Sequence, residues 1–504
     1  MRSAWAGRAG VVVVGAGPTG LAVAALLSDR GLPVLVLERR PTGPSLPRAV
    51  HLDDESMRVL QQVGVAADLA PLTRPGRGLR LLDARHRTMA EFARGDGPGG
   101  YPAASMFDQP DLDRLLAAHV GSRAEVRTGC EVVGLDQDAT GVRLQVRRDG
   151  RIEELAADAV LGCDGAGSTV RDLIGVGLQD LGFTERWLVV DVRTDRRLGT
   201  WDGVHQVCDP ARAATYLQVG PDRYRWEFRL HDGEHGADLD LDRLVAPWTG
   251  RVGLAGMTVL RRADYEFRAR LADRWRDRRV LLLGDAAHQT PPFVGQGLGS
   301  GLRDAANLSW KLAAVLADGA DEALLDTYEG ERAPHARALV RTAVRAGWAM
   351  TGGQDRAAAV RRTALAALCR VPGLLDRGTP PLRPGPLVAR RGPGGLTGRL
   401  VPQPRLRDGA RLDDRLGDGF AVLTTGPLAA DVMTRAARLD ARVLRLGTDV
   451  VDPAGVLAGW LSGARATAVV VRPDRVVLAA TDSRGRLRPG SLRALDTALA
   501  LLGR

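Results

Sequence analysis

Residues 11–20 read VVVVGAGPTG and run on into LAVAALLSDRG. An apolar N-terminal stretch of this kind is typical of a secretion signal, a nicotinamide nucleotide site or a flavin nucleotide site. The secretion signal is disfavoured, because Gly15, Gly17, Pro18 and Gly20 interrupt the apolar region and no small-residue cleavage site with a polar continuation follows. The four consecutive valines instead predict a short buried strand.

The glycines after this strand have the spacing of the dinucleotide fingerprint GxGxxG. This spacing allows a tight turn, the close approach of a pyrophosphate and close packing of the next helix, whose free amides attract anions. The next predicted strand, residues 34–38, ends in Glu38, whose carboxylate can accept both hydroxyls of an adenine ribose. The sequence therefore predicts an adenine dinucleotide, either NAD or FAD. Its predicted contacts in this motif are Gly15, Ala16, Gly17, Pro18, Thr19, Gly20, Glu38 and Arg39.

A second motif favours FAD over NAD. Residues 279–285 read RVLLLGD, a predicted buried strand that ends in Gly284 and Asp285. A carboxylate at this strand end can bind the ribityl hydroxyls of a flavin, a chain that NAD does not have. Gly295, Gly297 and further glycines then allow backbone amides at the start of a helix, predicted from about residue 302, to approach a flat ring. Taken alone, the motif is also compatible with an ordinary strand-to-helix turn.

A third motif, DAVLGCDGAGSTVR at residues 158–171, completes a recognisable order. The GxGxxG, the CDG with its trailing arginine, and the GDAAH with GQG together resemble the class A flavoprotein aromatic hydroxylases of the para-hydroxybenzoate hydroxylase fold. Residues 47–64, 107–116, 208–228 and 301–332 resemble 3-(3-hydroxyphenyl)propionate hydroxylase and its actinobacterial relatives.

This resemblance implies an α/β fold: a Rossmann-like FAD-binding domain, an inserted β-sheet substrate domain and a C-terminal thioredoxin-like domain. The expected division is 1–180 and 276–370 for FAD binding, with 72–106 partly joining the substrate sheet, 181–275 for the substrate domain, 371–404 for a Pro/Gly-rich connection and 405–504 for the C-terminal domain. The C-terminal segment contains no cysteine, so we expect it to pack or to form a dimer contact rather than to carry redox chemistry.

The resemblance also implies site residues. Glu38 would bind the adenosine ribose, Arg48 and Gln109 would lie along the cofactor chain, and Asp164 and Asp285 would lie on the flavin side. Pro292 and the loop of Gly295, Gly297, Leu298 and Gly299 would line the ring, and Arg48 and Pro292 are the positional candidates for a catalytic role. The phenylpropionate enzyme has Asn where this chain has Gly299, so contacts there are open. His51 and His288 lie inside these motifs and are expected only to pack or to bond to backbone.

The stretch between the flavin motifs has a different pattern. Residues 224–230 alternate aromatic or apolar with charged side chains, a period of two that predicts a half-buried strand. Residues 187–193, 213–219 and 264–270 alternate similarly, which predicts a mixed or antiparallel sheet at about 180–275. The resemblance implies that this sheet roofs the substrate. Trp226 and Phe228 are expected in its core. The substrate candidates are Tyr216, Phe293 and, as partners for a substrate carboxylate, Arg212 and Arg223.

The implied activity is an FAD-dependent monooxygenase that uses NADH or NADPH and molecular oxygen. A flavin C4a-hydroperoxide would hydroxylate a phenolic or polyketide aromatic ring in a cleft that excludes water. A base should lie near the substrate hydroxyl, but no residue can be assigned to it from sequence. Baeyer-Villiger oxygenation of a natural product and a catalytically silent flavin-binding subunit stay open. A halogenase is disfavoured, because the WxWxIP stretch and an N-terminal active-site lysine are absent.

Composition limits the remaining classes. The 504 residues are 45% hydrophobic, enough for about three domains. The net charge is +10, but the arginines are scattered among acids, so nucleic-acid binding is not expected. Cys130, Cys163, Cys208 and Cys369 form no CxxC pair, which predicts no metal site, no disulfide framework and a cytoplasmic location. No later segment approaches the roughly 18 apolar residues of a membrane span. The expected partner is a small aromatic substrate, and a homodimer is compatible with the sequence.

Overall fold

The structure is a computed structural model that describes residues 9–41, 49–351, 382–390 and 392–504. The predicted contact Arg48 and residues 371–381 and 391 of the predicted connection 371–404 lie outside the described residues. No helix within the described ranges is long and apolar enough to cross a membrane.

The first third of the chain contains eleven strands and five helices among its described residues. The strands are β1 (Ala9–Val14), β2 (Val34–Glu38), β3 (His51–Leu52), β4 (Arg74–Pro75), β5 (Gly78–Leu82), β6 (Thr88–Ala93), β7 (Ser105–Met106), β8 (Glu125–Thr128), β9 (Glu131–Gln137), β10 (Val142–Arg148) and β11 (Arg151–Gly162). The helices are α1 (Pro18–Ser28), α2 (Asp54–Val63), α3 (Ala66–Leu69), α4 (Gln109–Gly121) and α5 (Thr169–Leu173).

The middle of the chain contains two long paired strands and two long helices. Its strands are β12 (Leu178–Arg193), β13 (Val204–Val207), β14 (Ala214–Gln218), β15 (Arg223–Arg229), β16 (Thr258–Ala272), β17 (Arg276–Asp277), β18 (Val280–Leu282) and β19 (His288–Gln289). Its helices are α6 (Leu241–Thr249), α7 (Gly297–Leu316) and α8 (Ala323–Thr351).

The C-terminal part alternates strands and helices. Its strands are β20 (Ala421–Thr424), β21 (Arg442–Arg445), β22 (Ala468–Val471) and β23 (Val477–Ala480). Its helices within the described residues are α9 (Leu412–Leu416), α10 (Ala430–Arg438), α11 (Val456–Gly463) and α12 (Pro489–Leu501).

The first sheet has the order β17-β18-β11-β1-β2-β8, with β10 and β9 joined to β11. The strands β18, β11, β1, β2 and β8 are mutually parallel. The valines of β1 are buried, as the run of four predicted, because a parallel sheet is covered on both faces. Helix α1 begins at Pro18, whose fixed φ suits a first turn, and its residues 20–27 are all buried. The Rossmann-like part of the predicted fold class is confirmed.

The second sheet is mixed, with the order β19-β16-β12-β15-β14-β13-β5-β6. Its pairs are antiparallel except for β13 with β5, so the segment 78–93 does add strands to it. Helix α6 covers one face, where Trp226 and Phe228 lie in the predicted core. The prediction of a half-buried strand was wrong for β15. This strand lies in the middle of the sheet, and its charged Arg225 and Glu227 are also buried, at 3% and 9% exposure.

The third sheet, of order β21-β20-β22-β23, lies between two helix layers. Helices α10 and α12 contribute to one apolar cluster against it, and α9 and α11 to another. The cluster on the α10 side continues into α7 and α8, where Trp310 packs edge to face on Phe420 with ring centroids 5.6 Å apart. The thioredoxin-like assignment of this part stays a prediction.

A buried ionic cluster joins the third sheet to the cofactor half of the chain. Glu331 on α8 binds Arg472, with Oε1 2.6 Å from Nη1, and Lys311 on α7, with Oε2 2.9 Å from Nζ. Arg472 in turn binds Asp474, and the side chains of all these groups are at most 3% exposed. The C-terminal part is therefore fixed to the two helices that follow the GD motif.

Candidate active site

The glycine loop after β1 has the geometry that a pyrophosphate requires. Gly15 has φ +104, where a side chain is strained, and a Cβ there would lie 2.5 Å from the Cys163 carbonyl oxygen. A Cβ on Gly20 would lie 2.0 Å from the Gly15 carbonyl oxygen, so helix and loop pack in direct contact. A Cβ on Gly17, by contrast, would meet nothing within 4 Å. The loop thus leaves open space in front of the α1 amides, where an anion is stabilised.

Glu38 lies beside this loop at the end of β2. Its Oε2 accepts a hydrogen bond from the Ala16 amide at 3.0 Å, and its Oε1 accepts one from the Arg40 amide at 2.9 Å. A carboxylate has about four lone-pair sites, so each oxygen can accept a further hydrogen bond. Glu38 therefore fixes the loop and can still bind ribose hydroxyls.

The glycine loop after β1 and the GD motif meet at Thr19. A Cβ on Gly284 would lie 3.0 Å from the Thr19 Oγ1, and a Cβ on Gly301 would lie 2.3 Å from the same atom. The GD turn and the start of α7 therefore pack directly on the first turn of α1. This close packing also explains why α7 begins at Gly297 and not near residue 302 as predicted: the glycines there form the first helical turn.

Arg171, the arginine that trails the CDG motif, joins that motif to the GD motif. Its Nη1 donates to the Ala166 carbonyl at 3.1 Å and to the Ala286 carbonyl at 3.3 Å. Asp164 binds the start of α5: its oxygens accept from the N-cap side chain, Ser168 Oγ, at 2.5 Å and from the Val170 amide at 3.0 Å. Burial raises the pKa of Asp164. The three motifs, more than 100 residues apart in places, thus form one continuous surface.

Beneath the GD turn lies a buried node that sequence analysis did not find. Asp304 on α7 accepts from the Gly284 amide at 3.0 Å and from Arg332 Nε at 2.8 Å, and its Oδ2 lies 2.7 Å from His288 Nε2. Burial alone would raise the pKa of Asp304, but His288 and Arg332 hold that pKa below its usual value. His288 therefore bonds to a carboxylate, which corrects the expectation that it bonds only to backbone or packs.

A second missed cluster lies at the start of α2. Arg303 on α7 binds both Asp53 and Glu55, with Nε 2.6 Å from the Glu55 carboxylate. Burial would raise the pKa of Asp53, but Arg303 and the hydrogen bonds from Ser56 lower it well below its usual range. A Cβ on Gly299 would lie 2.6 Å from Ser56 Oγ. Gly299 is the position at which the phenylpropionate enzyme has Asn. Any residue larger than glycine there would therefore have to displace this cluster.

The loop between the GD motif and α7 carries the predicted ring contacts. Pro292 begins a short 3₁₀ turn, and Gly295 after it has φ +63. The Gly295 carbonyl lies 3.4 Å from His51 Nδ1, so His51 contacts backbone as expected. A Cβ on Gly297 would meet nothing within 4 Å, so this first residue of α7 faces open space in the same way as Gly17. Leu298 packs on the edge of the main core, and Asp285 is partly buried.

Gln109, predicted along the cofactor chain, is the first residue of α4. Its Oε1 accepts from the Ala49 amide at 2.9 Å, which ties it to the segment that follows the Arg48 position. The residue before it, Asp108, forms an ion pair with Arg223 at 2.5 Å. The charge of Arg223 is thus balanced inside the protein, so the structure gives no support to Arg223 as a partner for a substrate carboxylate.

A cleft lies between the second sheet, the turn at Pro292 and the end of α8. It encloses a cavity of about 60 Å³. The lining side chains are Leu79, Trp187, Val204, Gln206, Thr215, Glu227, Pro292, Phe293 and Met350. The predicted residues Pro292 and Phe293 thus lie at this cavity. A larger, open groove elsewhere, between residue 321 and α12, contains none of the cofactor motifs.

Phe293 closes the cleft from the side of the turn. Its ring packs edge to face on Phe183 and on Trp187, with centroids 5.6 and 5.9 Å away. On α8 it lies against Gly347, where a Cβ would be 2.4 Å from the ring. Trp187 is held in turn by a hydrogen bond from its Nε1 to Glu185 at 2.9 Å. Phe183, Trp187 and Phe293 thus form an apolar wall on this side of the cleft.

Two predicted substrate contacts lie elsewhere. Tyr216 is on the α6 side of the sheet, stacked on Trp248 and bonded to Thr200 at 2.9 Å, because its neighbour Thr215 takes the cleft side. Side chains alternate along a strand, so both cannot face the cleft. Arg212 forms a two-pronged ion pair with Glu234 at 2.7 and 2.9 Å and is not among the cleft residues. Both positions correct the prediction.

A family model described as the FAD binding domain matches residues 8–343, more than half of the chain. The probable NADH-specific resorcinol 4-hydroxylase of Rhodococcus jostii (strain RHA1) is 35% identical over 93% of this chain and 91% of its own length. The chain belongs to the FAD-binding hydroxylases. These enzymes are flavin-dependent monooxygenases, so the predictions of family, of enzyme class and of FAD as the bound nucleotide are confirmed.

Further comparisons cover this hydroxylase over nearly its whole length. The 3-(3-hydroxy-phenyl)propionate/3-hydroxycinnamic acid hydroxylase of Mycolicibacterium gilvum (strain PYR-GCK) is 35% identical over 93% of this chain and 88% of its own. The crystal structure of aklavinone-11 hydroxylase in a ternary complex with FAD and aklavinone is 26% identical, with a TM-score of 0.78 over 98% of both chains. A second family model, the HcaD C-terminal domain, matches residues 398–488.

Proposed function

We propose that this hydroxylase adds one oxygen atom to a monocyclic phenol, with NADH as the reductant. The observation that carries the proposal is the small cavity between Glu227 and the turn at Pro292. A buried water needs about 10–15 Å³ of such volume, so 60 Å³ holds roughly five water-sized groups, and even a single six-membered ring requires the cleft to widen. A tetracyclic polyketide would require the cleft to open much further.

The names of the relatives also support a monocyclic phenol as the substrate. Resorcinol and 3-hydroxyphenylpropionate, in the names of relatives at 35% identity, are monocyclic phenols. Aklavinone and anhydrotetracycline appear in the names of structural neighbours at 26% and 27% identity. NADH is the reductant in the name of the resorcinol enzyme. We infer that the second sheet is the substrate domain and that its cleft face selects the ring.

The three motifs supply the residues that would hold FAD. The open space at Gly17 and the α1 amides suit the pyrophosphate, Glu38 suits the adenine ribose, and the region of Asp285 and Gly297 suits the flavin end. When bound, FAD takes hydride from the nicotinamide and activates oxygen for transfer to the ring. The chain itself positions the substrate and keeps the site dry.

Exclusion of water is the task of the apolar wall. Phe293, Phe183 and Trp187 surround the space in front of Pro292 with rings, and Met350 adds a side chain from α8. Water in this space would divert the activated oxygen to hydrogen peroxide. A rigid wall also holds the substrate ring in one orientation, which lowers the entropic cost of reaching a productive geometry.

The proposal is tested with purified holoprotein. We expect an absorbance band near 450 nm from FAD, and NADH oxidation that a monocyclic phenol such as resorcinol or 3-hydroxyphenylpropionate accelerates at least about tenfold. The product should gain 16 mass units as a new phenolic hydroxyl. An ester or lactone that alkali cleaves would indicate Baeyer-Villiger oxygenation instead. Flavin colour without stimulation by any member of a phenol and polyketide panel would indicate the catalytically silent subunit.

Truncation of Phe293 should uncouple the reaction. In Phe293→Ala we expect the fraction of NADH electrons recovered as hydrogen peroxide to rise several-fold, because the lost ring opens the cleft to water. Phenol-stimulated NADH oxidation, followed together with peroxide and product yield, measures this. Phe420→Ala, a ring on the C-terminal sheet, is the matched control for loss of a buried aromatic. If Phe293→Ala and wild type form the same amount of product per NADH oxidised, the assigned role of Phe293 is contradicted.

Arg212 provides a prediction in which the substitution should have little effect. In Arg212→Gln we expect KM for an acidic phenol to change less than about twofold, because the guanidinium is already neutralised by Glu234 and is not a cleft residue. Steady-state kinetics with 3-hydroxyphenylpropionate checks this. A rise in KM for the acid but not for resorcinol would restore Arg212 as a substrate contact.

We also propose a cytoplasmic enzyme. Cys130, Cys163 and Cys208 are buried free thiols, which suits a reducing compartment. Size-exclusion chromatography of the holoprotein tests the homodimer that the sequence allows.

A further inference from the structure

The cleft face of the second sheet carries a buried cluster of two acids and two arginines. Asp191 on β12 lies at its centre: Arg225 on β15 binds it with Nε at 2.6 Å, and Arg261 on β16 with Nη2 at 2.5 Å. Glu227 is the second acid, on the same strand as Arg225. The motif RWEF therefore folds with its charges turned inward, and such a buried cluster is costly unless it is paired or functional.

Glu227 is the member of this cluster that reaches the cavity. Its Oε1 lies 3.8 Å from Arg225 Nη1, beyond hydrogen-bond distance, while both arginines bind Asp191 closely. It lines the same small cavity as Pro292 and Phe293, whereas Asp191, Arg225 and Arg261 are not among the lining residues. A carboxylate thus faces the space where we place the phenol.

The surroundings of Glu227 favour proton acceptance. Burial raises the pKa of Glu227 and nearby Asp191 adds to this rise, while Arg225 and Arg261 oppose it. From β13 and β14, the uncharged Gln206 and Thr215 face the same cavity and bond to each other at 3.0 Å. A raised carboxyl pKa lies closer to that of a phenol, which improves a general base.

We propose that Glu227 is the catalytic base that takes the proton of the substrate hydroxyl. The assignment rests on the proposed hydroxylation of a phenol. As the ring carbon bonds to one oxygen atom of O₂, the O–O bond breaks, and the second oxygen atom leaves as water with the two electrons that NADH supplied. In the same step the phenol O–H bond breaks, its electron pair moves into the ring and the proton passes to the Glu227 carboxylate. The ring carbon then loses its hydrogen as a proton, aromaticity returns, and Glu227 gives its proton back to the substrate oxygen.

The decisive variant is Glu227→Gln in the holoenzyme. The amide can still accept a hydrogen bond but cannot take a proton, so we expect phenol affinity within about threefold of wild type. Product formation should fall by about 100-fold or more, while NADH oxidation continues and yields hydrogen peroxide. Glu227→Asp should restore part of the product. Retention of the 450 nm band shows that FAD binding is intact.

The pH profile separates a base from a structural role. The base acts when ionised, so wild-type product formation should fall as the pH drops through the pKa of Glu227, which lies above the ordinary 4.5. This acid limb should be absent in Glu227→Gln. An unchanged limb in the variant, or product formation within tenfold of wild type, would overturn the proposal. If Glu227→Gln loses FAD or binds the phenol much more weakly, Glu227 has a structural role. That result would also overturn the proposal.

A binding measurement tests the same contact without turnover. We expect the holoprotein to bind a phenol at least about tenfold more tightly than its methyl ether, read from the perturbation of the flavin band, because a hydrogen bond to a charged acceptor is strong. Glu227→Leu should lose this preference, and Glu234→Gln, a carboxylate held by Arg212 outside the cleft, should keep it. If wild type shows the preference without hydroxylating any phenol, the proposed function fails and the Glu227 contact stands. A wild type without the preference overturns the contact.

Discussion

Replacing Gly20 by alanine will leave a protein that binds no FAD and unfolds far more readily than wild type. The new Cβ would lie 2.0 Å from the Gly15 carbonyl oxygen and 3.2 Å from the Cys163 Cβ, so the glycine loop and α1 would have to shift apart. Alanine favours a helix over glycine by about 1 kcal/mol, but overlap with backbone at this distance outweighs that gain. We expect the free energy of unfolding to fall by about 3 kcal/mol or more.

Two further glycines make this experiment specific. In Gly17→Ala the methyl group meets no protein atom within 4 Å and φ is −73, so the fold should be kept. The methyl group would instead occupy the space assigned to the pyrophosphate, and we expect FAD affinity to fall at least about tenfold. Gly121→Ala at the end of α4 also meets nothing and is the control. Urea unfolding of the apoprotein and FAD titration give the two quantities. Normal FAD binding by Gly20→Ala would refute the assigned geometry.

Glu331→Gln should release the C-terminal part from the cofactor helices. The substitution leaves Arg472 and Lys311 buried beside an uncharged amide, and removal of one partner of a buried pair costs about 3–5 kcal/mol. We expect the thermal unfolding midpoint of the holoenzyme to fall accordingly. Arg435→Gln, which breaks the exposed pair with Asp496, should cost less than about 1 kcal/mol.

The same cluster predicts an acid dependence. Burial would raise the pKa of Glu331, but Arg472 and Lys311 outweigh it and lower the pKa to about 2. A carboxyl with a lower pKa in the folded state adds stability above its unfolded value, near 4.5, and this stability is lost as the pH falls towards 2. Wild type should therefore lose stability between about pH 5 and 2 more steeply than Glu331→Gln. Parallel curves for the two proteins would contradict the ionic role of Glu331.

Sequence analysis reached the cofactor because its motifs are local. A glycine with positive φ, a strand of valines and an acid at a strand end each show their function within a few residues, so Gly15, Gly20 and Glu38 could be identified one motif at a time. The contacts that sequence analysis missed join side chains on separate elements, as His288 does with Asp304 on α7. Asp53 and Arg303 are 250 residues apart, and nothing local marks either as the partner of the other.

The substrate side shows the limit most clearly. The alternation in RWEF was sufficient to predict a strand, but the same alternation fits an edge strand with a charged, solvated face and a central strand with a charged, buried face. The position of β15 inside the sheet decides between them. It places Glu227 in the cleft and Tyr216, on the adjacent strand, against α6.

By itself, the sequence determined the class of fold, the bound nucleotide and the glycines on which the nucleotide loop depends, because those properties arise from backbone geometry over short stretches. Only the tertiary structure decided which face of the second sheet lines the cleft, how the buried charges pair and which side chains meet at the small cavity. These properties depend on which segments pack against each other, and burial turns a charged side chain from a solvated surface group into one that needs a partner.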